Sequence, residues 1–221
     1  MSVEQENGLG EQFSKAEHFV TENRKSLLVI GGTIVALVLL YFGYQNFIQG
    51  PREKEAAEQM FMAERYFEQD SLEKAINGDG NFIGFVEIVD EYGGTKSGNL
   101  AKYYLGFSYL RTAKYEEAIE ALSEFSSSDE VLNCLSLSGI GDAYTELNNL
   151  EEAASYYKKA SNKSKDQFTS PLVLMKLGQT YEALNEPSKA IEQYEKIKKE
   201  YTESTEAKDI DKYIARASAK L

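Results

Sequence analysis

The polarity of the chain changes abruptly at two places near its start. Twenty-six consecutive residues, Ser26 to Pro51, carry no charge, although 27% of all residues are charged. Within that window Leu27 to Ile48 reads LLVIGGTIVALVLLYFGYQNFI. About 20 apolar residues cross a bilayer as a helix, so the pattern predicts one transmembrane helix over 27–48. Its apolar core exceeds the 7–15 residues typical of a signal sequence, and no small-x-small cleavage motif follows it. An aromatic cluster, Tyr41-Phe42-Gly43-Tyr44-Gln45-Asn46-Phe47, closes it instead, as at a bilayer–water boundary. The span therefore reads as an uncleaved anchor.

Beyond residue 51 the apolar positions recur with helical period. Three segments align without gaps: LAKYYLGFSYLRTAKYEEAIEALSEF (100–125), LSLSGIGDAYTELNNLEEAASYYKKA (135–160) and LVLMKLGQTYEALNEPSKAIEQYEKI (172–197). Each carries an aliphatic-Gly pair, an aromatic three residues after the glycine, a turn, and an alanine nine residues after the aromatic. These residues are Leu105-Gly106, Tyr109 and Ala118; Ile140-Gly141, Tyr144 and Ala153; Leu177-Gly178, Tyr181 and Ala190. The glycines recur at intervals of 35 and 37 residues. The pattern resembles the tetratricopeptide repeat (TPR), a pair of helices, A and B, with a period of about 34. Glycine or alanine at the contact lets the two helices approach closely. Asn148-Asn149 and Asn185-Glu186-Pro187 supply turn chemistry, and Pro187 suits the first position of a helix.

A less regular stretch precedes these repeats. Arg52 to Gln69 has helical spacing through Ala56, Met60, Ala63 and Phe67, and Asn77-Gly78-Asp79-Gly80 breaks the chain. Phe82 to Tyr92 reads as a second helix with Phe82, Phe85, Val86 and Val89 inward. Thr205 to Lys220 reads as a terminal helix with Ile210, Tyr213, Ile214 and Ala217 inward, of the kind that shields the end of a solenoid. The expected fold is all-α: a TPR solenoid of about nine helices behind one N-terminal transmembrane helix. The division is a tail (1–26), the span (27–48), a degenerate helical lead-in (49–97), three repeats (98–202) and a capping helix (203–221).

Charge narrows the partners. With 24 Lys+Arg against 36 Asp+Glu the net charge is −12, which disfavours nucleic acid and anionic membrane surfaces. Orientation rests on Lys15, Arg24 and Lys25 before the span against Arg52, Lys54 and Arg65 after it, nearly a tie. Arg24 and Lys25 abut the membrane directly, which places the N-terminus in the cytoplasm.

The chain offers little for catalysis. Its one histidine, His18, precedes the span, and neither a metal-ligand cluster nor a phosphate-binding glycine motif is present in the sequence. Carboxylate pairs such as Glu116-Glu117 and Glu151-Glu152 sit where a first helical turn favours negative charge. Cys134 fits a buried small apolar position. No enzyme activity, metal or cofactor is expected. Candidate contacts are instead with partners. In this fold the A helices line a groove, and the register puts Tyr103, Phe107, Leu110 and Arg111 there in the first repeat. Ser138, Asp142, Thr145 and Glu146 follow in the second, and Met175, Gln179 and Glu182 in the third. The apolar set Tyr103, Phe107 and Leu110 either binds a partner or packs against the helices at 52–92. Gly32 and Ala36 form a small-xxx-small pair through which another span can approach.

The segment Phe19-Val20-Thr21-Glu22-Asn23-Arg24-Lys25-Ser26-Leu27, leading into the span, resembles the F-x-x-E-N-x-K-x-L start of the bacterial YfgM family. That resemblance implies an inner-membrane protein with a cytoplasmic tail, one span and a periplasmic TPR domain. It further implies an ancillary subunit of the Sec translocon that works with the membrane-anchored periplasmic chaperone PpiD, a peptidyl-prolyl isomerase, on translocated proteins. Two other readings stay open: a scaffold of another envelope secretion or assembly machine, and an adaptor facing the cytosol.

Overall fold

The computed structural model of the chain describes residues 17–221. The first 16 residues of the expected tail, Lys15 among them, lie outside the described residues. The chain separates into two compact units, Met1–Pro51 and Arg52–Leu221. In the first, helix α1 (Arg24–Tyr44) runs into a π-helical turn, Gln45–Gln49. The helix is long and apolar enough to cross a membrane, with a mean hydropathy of 2.3 and none of its apolar window buried by protein. Gln45 and Gln49 donate to the hydroxyls of Tyr41 and Tyr44, giving the aromatic cluster a polar side.

Ten α-helices make up the second unit, and no strand occurs among the described residues. They are α2 (Gly50–Glu68), α3 (Leu72–Asn77), α4 (Phe85–Tyr92), α5 (Lys96–Arg111), α6 (Tyr115–Glu124) and α7 (Glu130–Glu146). After these come α8 (Leu150–Ser161), α9 (Thr169–Ala183), α10 (Pro187–Glu200), a 3-10 turn (Glu206–Asp209) and α11 (Ile210–Ser218). From α4 onward each helix packs chiefly on its neighbours in sequence, and the A helices α5, α7 and α9 touch in succession. The fold is a TPR-like solenoid. The helix beyond the expected nine is α3.

The repeat glycines stand where the register puts them. A Cβ on Gly106 would lie 2.4 Å from Leu122 Cγ; on Gly141, 2.7 Å from the Tyr157 ring; on Gly178, 2.3 Å from the Tyr194 ring. Each A helix therefore presses its bare backbone onto a large side chain of its own B helix. Ala118, Ala153 and Ala190 are fully buried. Cys134 is also fully buried, and burial pushes its thiol pKa up, with the Asp166 charge adding to the shift.

The turns between A and B helices repeat too. Ala113, Asn148 and Asn185 all have φ of 57–58°. Asparagine tolerates this left-handed conformation, whereas alanine is strained by roughly 1–2 kcal/mol. Ala113→Asn should therefore raise the melting temperature by about 2–4 °C for each kcal/mol relieved. Thermal unfolding followed by circular dichroism checks this, and an unchanged or lower value would show that the turn carries no strain.

The lead-in is more regular than its sequence suggests. Ala63 is fully buried, Tyr66 follows three residues later, Asp70 has φ 59°, and Ala75 is fully buried twelve residues after Ala63. These are the glycine, aromatic, turn and alanine positions of a fourth repeat, with α2 as its A helix. Its B helix is replaced by two short helices, α3 and α4, both packed on α5. Gly78, at φ 81°, and Gly84 form the crossing between them. A Cβ on Gly84 would meet the Ile76 carbonyl at 2.3 Å. The second helix accordingly starts at Phe85, and Phe82 lies in the connecting loop, 44% exposed rather than inward. Phe85 and Ile88 fill the core in its place. Glu53 of α2 accepts hydrogen bonds from the Lys96 and Ser97 amides at 2.6 and 3.1 Å, satisfying the N-terminus of α5.

Candidate partner-binding surface

On each A helix the residues three before and one, four and five after the repeat glycine were expected to face a groove. The structure divides them. Tyr103 is half-buried, its ring 4.7 Å from Phe107 and 5.2 Å from Phe125, and burial pushes its hydroxyl up to about 12, with Tyr104 contributing. The ring edge of Phe107 lies against Gly139 of α7, so it joins consecutive repeats. The aromatic that packs on the lead-in is Tyr104, which meets Phe67 edge-on at 5.2 Å and stacks on Phe85 at 5.5 Å.

Two other candidates are corrected by the packing. Met175 is only 8% exposed and belongs to the core around Tyr194 and Ile197, because α10 and α11 close over this end of α9. Arg111 is not free: it pairs with Asp70 at 2.6 Å and lies over the Phe67 ring. It thus fastens α5 to the turn of the lead-in repeat. Asp142 accepts from Lys176 Nζ and from the Tyr157 hydroxyl, each at 2.7 Å. Burial, and then the Asp142 charge, raise the Tyr157 pKa. Gln179 is exposed.

Between α5 and α7 a cavity of about 340 Å³ is lined by Leu110, Tyr115, Asp142, Thr145, Glu146 and Tyr157. A second, of about 280 Å³, continues between α7 and α9 past Asp142, Lys176, Gln179 and Ala183. Leu110, Asp142 and Gln179 are thereby brought onto one run of surface. Glu146 accepts from the Tyr115 hydroxyl at 3.3 Å and, among the described residues, has no cation within ion-pair distance.

The same face carries residues the register argument passed over. Six positions before each repeat glycine stand Leu100, Leu135 and Leu172. Leu172 is 40% exposed, and Phe168, one turn earlier, is 87% exposed. Val131 and Leu135, at the matching places on α7, are half-exposed. The leucine recurring at a fixed offset was the available signal. On α7 the face thus runs from apolar residues near the helix start, Val131 and Leu135, to acidic ones near its end, Asp142 and Glu146.

In the first unit, Gly32 and Ala36 both lie on exposed parts of α1, and a Cβ on Gly32 would meet nothing within 4 Å. The pair is placed on an open helix surface.

Sequence models of the tetratricopeptide repeat match residues 100–128 and 172–204, and a second such model matches 136–162. Nothing among curated proteins matches the chain. Among solved structures it is similar to a Podosopora anserina protein described as a kinesin light chain with nearly identical TPR-like repeats. The TM-score is 0.58 at 16% identity, over 75% of this chain and 86% of that one. A variant of the same protein gives 0.57 at the same identity and coverage. At this identity the likeness speaks for the fold alone. The matches show that the chain carries tetratricopeptide repeats, helix pairs whose stacking builds an extended surface.

Proposed function

We propose that the chain is a non-enzymatic, single-pass anchored scaffold that holds partner proteins at a membrane through its repeat domain. The observation that carries this is one apolar helix, open along its length, preceding a solenoid whose helix α7 runs from apolar at Val131 and Leu135 to acidic at Asp142 and Glu146. In this reading residues 1–26 are a cytoplasmic tail, 27–48 the span, 49–97 the lead-in, 98–202 the three repeats and 203–221 the cap. Partners meet Leu110, Asp142 and Gln179, with Tyr103 and Phe107 beneath, and Gly32 and Ala36 face another span. The resemblance through Phe19 to Leu27 supports a place in the bacterial inner membrane beside the Sec translocon, with the repeats in the periplasm. There the scaffold cooperates with a chaperone of the PpiD type.

Two measurements test this. External protease added to spheroplasts should digest the chain after about residue 50. Protection until lysis would place the repeats on the cytosolic side. Gentle solubilisation of membranes should bring down translocon subunits and the anchored chaperone with the protein, and Gly32→Leu should weaken that recovery. If no translocon subunit is recovered, a scaffold for another envelope machine takes its place.

A further inference from the structure

We infer that the A-helix face is built to take an amphipathic helical segment that carries Lys or Arg along one side. This rests on the partner-binding reading above and names the chemistry of the partner.

The apolar half of the face is Val131 and Leu135 on α7 with Phe168, which immediately precedes α9, and Leu172 on α9. These are successive turns of adjacent A helices, and Phe168 and Leu172 are among the few large apolar side chains the domain exposes. The other half is acidic. Glu146 ends α7 without a cation, and Glu64 and Glu68 occupy the corresponding places on α2, one and five residues after Ala63. Burial raises the Glu64 carboxyl, and Glu68 adds to the shift, as expected for two like charges with no cation between them. A partner covering both halves needs an apolar side and a basic side.

The domain itself supplies a pattern for such an occupant. Helix α11 lays Ile210, Tyr213, Ile214 and Ala217 on the core beside α10. Beside that apolar side, Arg216 on α11 and Lys220 just past its end reach Glu182, an A-helix carboxylate four residues after Gly178, at 2.7 and 3.4 Å. A basic amphipathic helix against an A-helix carboxylate is therefore already one solution found by this chain. Glu146 stands five residues after Gly141, one position on from the place Glu182 holds, and is unoccupied by a cation.

The test uses residues 52–221, a compact unit whose core is made entirely of its own side chains. The probes are two fluorescent 18-residue helical peptides, one of leucine and lysine and one of leucine and glutamate. The leucine–lysine peptide should bind and the other should not. Binding should weaken in 0.5 M salt, because charges near the surface are screened. Phe168→Ser with Leu172→Ser should weaken it about tenfold or more, since a few apolar anchors dominate an interface. Glu146→Lys should weaken it several-fold, whereas Glu192→Lys on α10, the same change of net charge elsewhere, should not. Circular dichroism checks each variant's fold, and Glu146→Gln serves if Glu146→Lys unfolds. Equal binding of both peptides, or equal loss from Glu146→Lys and Glu192→Lys, overturns the inference. Those outcomes leave the translocon recovery untouched, so either reading can fail alone.

Discussion

Gly141→Leu should lower the melting temperature of the repeat domain by several degrees. The β-carbon alone would lie 2.7 Å from Cδ1 and Cε1 of Tyr157, closer than carbons pack, and leucine adds three more carbons in the same place. Tyr157 cannot give way cheaply. Its side chain is 3% exposed, and its hydroxyl is held by Asp142 at 2.7 Å and Thr145 at 3.2 Å. Overpacking of this kind costs about 1–3 kcal/mol or more. At roughly 2–4 °C per kcal/mol for a domain of this size, the shift is easily read in a melt. An unchanged midpoint would mean that the repeat register is wrong.

The second large effect is expected at the other end of the solenoid. Glu182 has a side chain only 6% exposed and accepts from Arg216 Nε and Nη2 at 3.0 and 2.7 Å, and from the Tyr194 hydroxyl at 2.7 Å. Arg216→Ala would leave that carboxylate buried with Tyr194 and the longer Lys220 contact. Under-satisfying such a group costs about 1–3 kcal/mol, toward the lower end here because Arg216 is half-exposed. The loss should appear first as faster amide exchange in α11. Acid should have a related effect. Burial alone would raise the Glu182 pKa, but the hydrogen bonds from Arg216 and Tyr194 outweigh it and hold it below 4.5. A depressed carboxyl contributes stability that is present above the unfolded value and lost as pH falls through the folded one. Protection of α11 should therefore fade as pH falls below about 4.5 in the parent, and should depend less on pH in Arg216→Ala, where the donor that depresses Glu182 is gone. Identical pH profiles would show that Arg216 does not hold Glu182 ionised.

Much of the solenoid was legible because its packing is written locally. Gly106, Gly141 and Gly178 fall at nearly equal intervals, and each meets its own B helix within a span of twenty residues. The fourth repeat was obscured because Ala63 stands for the glycine and the B helix is split around Gly78 and Gly84. Ala63, Tyr66 and Ala75 nevertheless keep the spacing. The surface was less legible. Register can place Met175 and Phe107 on a face, but only tertiary contact decides that the first sinks under α10 and that the second seats on Gly139. Arg111 reads as a free cation until the turn at Asp70, forty-one residues away, is folded beside it. The exposure of Leu135 and Leu172 depends on neighbours the repeat pattern does not specify.

The split second helix of the lead-in repeat has a consequence for the route by which the chain acquires its structure. Contacts throughout the domain join near neighbours in sequence, so loop-closure entropy is small and each repeat can form as soon as its own residues are available. The three regular repeats are suited to nucleating this process, since each B helix completes its A helix without a detour. In the lead-in repeat, Ala75 and Phe85 must be brought together around the loop at 78–84 before α2 is fully covered. Folding should then begin in the middle of the domain and spread outward, with the segment beside the span among the last to set.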